Sequence, residues 1–135
     1  MKQLRNVVLL LAAFIMSFNS FAQKQPEWKE MTDFHAVMSK TFHPSEDGNF
    51  APVKQNASML VAKAAAWQKA TVPQGFNNDV TAPILARLVD ACKALETAVK
   101  EKKSNDELKR YISNAHDVFH EIKEKCNKPT SDEGH

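Results

Sequence analysis

Glycine is scarce in this chain, occurring only at positions 48, 75 and 134 of 135 residues. Gly-rich loops that cradle phosphates or dinucleotides therefore have no place to form, and strand-like alternation of apolar and polar residues is missing as well. No nucleophile–base signature is present, so the chain is read as a non-enzyme. Long apolar runs are also lacking. The longest, Val7 to Phe18, holds twelve residues, too few to span about 30 Å of hydrocarbon as a helix.

That short run has the layout of an export leader. Lys2 and Arg5 precede it, and Ser20-Phe21-Ala22 supplies a small-x-small cleavage site before Gln23. Residues 1–22 are thus expected to be a cleaved signal peptide, 23–126 one folded domain, and 127–135 a disordered tail. The expected compartment is the periplasm, with no stable membrane span after cleavage. Of 18 Lys and Arg, two leave with the leader, so 16 face 16 Asp and Glu. A nucleic-acid binder or a polybasic membrane-surface protein would carry a clustered basic excess, and none remains.

What is present is helical periodicity. The first helix is expected from about Glu27 to Phe42, with Trp28, Met31, Phe34, His35, Met38 and Phe42 as its face and Pro44 as its stop. A second starts near Ala51 with Pro52 in its first turn, and Val72-Pro73-Gln74-Gly75 breaks the chain after it. The third carries Ile84, Leu88, Ala91, Cys92, Leu95 and Ala98. In the fourth, Ser104 and Glu107 have capping-box spacing ahead of a stripe of Leu108, Tyr111, Ile112, Ala115, Phe119 and Ile122. Four helices with short connections predict an all-α, up-down-up-down four-helix bundle.

Two cysteines in an exported chain first imply a disulfide. In a helical hairpin, however, Cys92 and Cys126 lie about 18 Å apart at 1.5 Å per residue, while a disulfide tolerates about 7 Å between Cα atoms. Each cysteine needs its own explanation. An unpaired Cys126 at the end of the last helix would favour a disulfide-linked homodimer, and with it a purely structural interaction module.

Folded back and forth, the helices bring His35, His116 and Cys92 to nearly one height, about 13, 15 and 18 Å from one end. Met38 lies close by. Imidazole with thiolate or thioether suits copper or zinc, which makes His35, Cys92, His116 and Met38 a candidate metal set. The plainer readings are a hydrogen-bonded core His35, a small hydrophobe at Cys92, and core filler at Met31 and Met38. His116 and His120 form an i, i+4 pair able to chelate a divalent ion, although His120 is read first as an exposed surface residue. His43, beside Pro44 with Glu46 and Asp47 near it, is read first as part of a solvated turn, with weak metal binding by that loop as the alternative.

The stretch Ile112-Ser113-Asn114-Ala115-His116-Asp117-Val118-Phe119 resembles the last helix of the cytochrome c′ family and its soluble b-type relatives. In the c′ proteins this helix carries Cys-x-x-Cys-His followed by an aromatic. The His and the aromatic are kept here, but the attachment cysteines are Ile112 and Ala115, which excludes covalent haem at that position. The Val72–Gly75 connection also resembles the family's Pro-Gly loop. The resemblance implies non-covalent haem b for electron transfer or small-ligand binding, with an unnamed redox partner. His116 would be one axial ligand and Met31 or Met38 the other, with His35 a further possibility from this sequence alone.

Overall fold

The computed structural model describes residues 27–126. The leader assigned to 1–22 and the tail assigned to 127–135 lie outside the described residues. Four helices follow one another: α1 Lys29–Glu46, α2 Ala51–Lys69, α3 Asn78–Lys100 and α4 Asn105–Cys126. The described residues contain no strand. Each helix packs on the next, and α4 returns to α1 through a sparser seam, closing an up-down-up-down four-helix bundle. Connections this short leave consecutive helices antiparallel.

Helix ends are set by local chemistry. Ser104 and Glu107 form the expected capping box: the Glu107 carboxylate accepts from the Ser104 N–H at 3.1 Å, and the Ser104 hydroxyl oxygen accepts from the Glu107 N–H at 3.2 Å. The Asn77 side chain caps α3 by accepting from the Asp79 N–H at 3.0 Å. Pro44 does not stop α1 at Phe42 as expected. The helix runs through it to Glu46, because the next turn is held from below: the Ser45 hydroxyl donates to the Phe42 carbonyl, and the Gly48 and Asn49 N–H groups donate back to Ser45 and Pro44.

That closure is a Schellman motif with Gly48 in the left-handed conformation at φ 82°. The end of α3 closes in the same way, with Lys102 and Lys103 donating to Val99 and Ala98. There the left-handed position is occupied by Lys102, at φ 55°, a conformation that side chains with a Cβ resist. Lys102→Gly is therefore expected to raise stability by roughly 0.5–1 kcal/mol, the relief of strain exceeding the added freedom of the unfolded chain. Urea denaturation reads this as a higher midpoint at unchanged slope.

The buried side of α1 is also turned relative to its expected face. Phe34, Val37, Met38, Thr41 and Ser45 are buried, whereas His35 is exposed. Two hydroxyls make this possible. Thr41 donates to the Val37 carbonyl at 2.7 Å and Ser45 to that of Phe42, so both polar residues enter the core satisfied. At about 100° per residue this centres the face on Phe34 and leaves His35 on its flank, beside Phe42.

Trp28, Phe34, Trp67 and Phe119 form the aromatic part of the core and tie α1, α2 and α4 together. Across α3 and α4, the Arg87 guanidinium donates to Glu121 at 2.7 Å. Arg87 and Lys125 together hold the Glu121 carboxyl down at about 2.

Candidate functional site

The seam between α1 and α4 does not close completely. It leaves a cleft of about 180 Å³ lined by His35, Met38, Ser39, Phe42 and His43 from α1 and by His116 and His120 from α4. All four histidines among the described residues border it.

Their rings are joined by phenyl rings into an arc around the cleft. Starting at His43, centroid distances are 5.7 Å to Phe42, then 3.7 Å to His116, 4.4 Å to His120, 5.8 Å to Phe119 and 5.2 Å to His35. Two of these contacts cross the seam as stacks: Phe42 of α1 lies 9° from parallel to His116 of α4, and Phe119 of α4 lies 19° from parallel to His35 of α1. Each helix thus gives the other one phenyl and one imidazole. Such stacks contribute about 0.5–1.5 kcal/mol each beyond their buried area.

The two imidazoles of α4 converge. Their Nε2 atoms are 3.1 Å apart, a spacing at which a neutral pair shares one proton or both nitrogens turn to a common acceptor of lone pairs. On α1, His43 Nδ1 meets the Glu46 carboxylate at 3.2 Å, which leaves Nε2 available. His116 Nδ1 faces Asp117 more loosely, at 4.0 Å. At His43, a carboxylate behind one ring nitrogen with the other nitrogen free is the outer-shell arrangement of metal-ligating histidines.

Burial also favours the neutral imidazole at His35 and His116. Burial lowers the pKa of His35, helped by Lys123, His120 and His43. Burial likewise lowers that of His116, with His120 and His43 adding to it and Asp117 and Glu46 opposing. Both groups take up protons less readily folded than unfolded, so the unfolded chain binds more protons below its value of 6.5. Their contribution to stability is complete above that pH and is lost as pH falls through the lowered folded values. The protein is therefore expected to unfold at lower urea at pH 5 than at pH 7.5. The difference should shrink in His35→Gln.

Other expected site residues go elsewhere. Cys92 is fully buried in the core and does not border the cleft. Burial pushes its thiol up to about 12, so it stays protonated rather than serving as a thiolate. Met31 packs against the core outside the cleft, while Met38, 1% exposed, forms part of its floor. Cys126 is a second free thiol and is covered within its own chain, so the surface sulfur that a disulfide-linked dimer requires is not offered. Residues Ile112 and Ala115, which stand where the c′ proteins attach haem, are also wholly buried.

His43 and His120, which sequence reasoning placed on the surface, are exposed in the fold and also border the cleft. The retrievable sign was numerical: two histidines on the first helix and two on the last, helices that are neighbours in an up-down-up-down ring. As the side chains stand, no group of three or more His, Cys, Asp or Glu among the described residues is gathered tightly enough to hold an ion. A larger cavity, about 280 Å³, lies between Lys54, Val99, Lys102, Lys103 and Leu108. Three ammonium groups with no imidazole or thiol make it unsuited to a cation. No protein-family model, curated protein or solved structure matches the chain.

Proposed function

We propose that this protein binds a transition-metal ion in the α1–α4 cleft, with His116 and His120 as the primary donors, and that it does so as an exported bundle without catalysing a reaction. The observation that carries this reading is the convergence of the two Nε2 atoms at 3.1 Å within a cleft bordered by two further imidazoles. Imidazole pairs at i, i+4 chelate zinc, copper and nickel ions, and burial that disfavours protonation of His116 lowers the cost of displacing its proton.

Haem b, which the cytochrome resemblance implies, fits the residues less well. A cleft of about 180 Å³ is smaller than the roughly 300–1,000 Å³ that organic ligands of moderate size occupy. Of the two expected methionine ligands, only Met38 reaches the cleft, and it lies on the floor. An ion with one or two waters suits the space better.

Metal analysis of natively purified protein, followed by titration of the stripped protein with Zn(II) and Cu(II), tests the proposal. One ion per chain, lost in the His116→Ala, His120→Ala double variant, is expected. Failure to bind either ion, or a Soret band on titration with haem in place of metal binding, would overturn it.

A further inference from the structure

The cavity of about 280 Å³ lies at the end of the bundle where α2 begins, α3 ends and α4 begins, and it shares no residue with the histidine cleft. Lys54 reaches it from the first turn of α2, Val99, Lys102 and Lys103 from around the C-terminal turn of α3, and Leu108 from the first turn of α4. We infer that this cavity binds a small phosphate monoester with an apolar body, the head held by Lys54 and Lys102 and the body lying on Val99 and Leu108. The site stands independently of the metal reading.

Two of its lysines occupy positions that local chemistry disfavours. Lys54 places a cation near the N-terminus of α2, where the helix dipole is already positive, and that first turn contains no acidic residue. Lys102 holds a left-handed backbone at φ 55°, where glycine would relieve strain. They belong to different helix ends, yet both border the same cavity. Neither ammonium forms an ion pair among the described residues. Residues that work against local stability and converge on one place are expected at functional sites.

The charge selects the head. Glu107 is engaged with the N–H and hydroxyl of Ser104 at 3.1 and 3.2 Å, and Glu101 meets Lys103 only loosely, at 3.7 Å. Two ammonium groups without an acid partner match a phosphate monoester, which carries about −1.5 to −2 charges at pH 7. Lysine meets phosphate as a point charge, so no fixed fork of donors is needed.

The floor selects the body. Leu108 is buried and Val99 is half-buried against the core, so a bare anion would leave apolar surface wet. An apolar group covers it, while the lysine stems keep their ammonium groups at the rim. The volume falls just below the roughly 300 Å³ at which small-molecule clefts begin, which suits a single ring or a short chain.

Isothermal titration of the purified protein with phenyl phosphate tests the site, with EDTA present so that no metal ion holds the probe. One molecule per chain is expected to bind, about tenfold tighter than inorganic phosphate because the ring is buried, and added salt should weaken it. Benzyl alcohol, which has the ring without the charge, should not compete. Lys54→Met and Lys102→Gly should each weaken binding about three- to fivefold, the effect of one charge lost at an exposed site. Lys102→Gly should do so while raising the urea midpoint, opposite signs that a loss of folding would not produce. His116→Ala should bind phenyl phosphate as wild type does.

The same head group occurs free and in phosphatidic acid. Co-sedimentation with phosphatidylcholine vesicles containing phosphatidic acid, displaced by phenyl phosphate, would assign the site to a lipid headgroup; binding of phenyl phosphate without co-sedimentation would assign it to a soluble ligand. Absence of phenyl phosphate binding, equal affinity for inorganic phosphate, or unchanged affinity in Lys54→Met and Lys102→Gly would each overturn the inference and leave the metal reading standing. Loss of phenyl phosphate binding in folded His116→Ala would overturn it by moving the probe to the histidine cleft.

Discussion

Trp67→Ala is expected to lower the stability of the bundle by about 3–5 kcal/mol, the range for deleting a large buried aromatic. A domain of this size has about 5–15 kcal/mol in all, so the variant should be largely unfolded by modest urea. Trp67 is fully buried near the end of α2 and meets Trp28 at 5.6 Å, Phe34 at 5.8 Å and Phe119 at 6.1 Å between ring centroids. Removing it strips one wall from the core on three sides at once. Its indole N–H has no acceptor among the described residues, which costs stability in the native protein. Trp67→Phe, which loses that N–H together with some volume, should therefore cost much less than the alanine change. Equal losses in the two variants would show that ring volume is not what Trp67 contributes.

His116→Ala is expected to weaken binding of Zn(II) or Cu(II) at least a hundredfold while leaving helix content unchanged. The imidazole is one half of the convergent Nε2 pair, and its ring is the surface on which Phe42 of α1 stacks at 3.7 Å. Loss of the ring removes a proposed donor together with the stack that holds Phe42 of α1 against α4. His116→Phe separates the two effects: a phenyl ring restores the stack with Phe42 but offers no lone pair. Stability should return toward wild type in that variant while metal affinity stays low. Recovery of metal affinity in His116→Phe would mean that His116 acts only through packing.

Much of the fold was legible because its determinants are local. Ser104 and Glu107, Asn77, and Pro52 in the first turn of α2 mark helix starts through chemistry contained within a few residues. Apolar spacing in α3 and α4 matched their buried faces, Cys92 included. The side of α1 that faces the core was not legible in the same way. Threonine and serine read as polar, yet Thr41 and Ser45 are buried because their hydroxyls bond back to the helix. A face drawn from apolar residues alone therefore comes out rotated, with His35 near its middle instead of on its flank.

The same rotation explains the site. An interior layer of His35, Cys92 and His116 follows if all three point inward. With His35 on the flank, the imidazoles meet at the α1–α4 seam, and Cys92 remains behind them in the core. His43 and His120 then join the arc from positions that periodicity places on the surface. What decides membership is which two helices are loosely packed, a tertiary property that no window of sequence contains.

X-ray absorption at the zinc edge of stoichiometrically loaded protein tests the central claim most directly. A nitrogen-only cleft predicts a first shell of N or O scatterers at about 2.0–2.1 Å, with the outer-shell pattern of several imidazole rings. A thiolate sulfur at about 2.3 Å would contradict it, because only Cys92 or Cys126 could supply one, and the ion would then lie in the core rather than between α1 and α4.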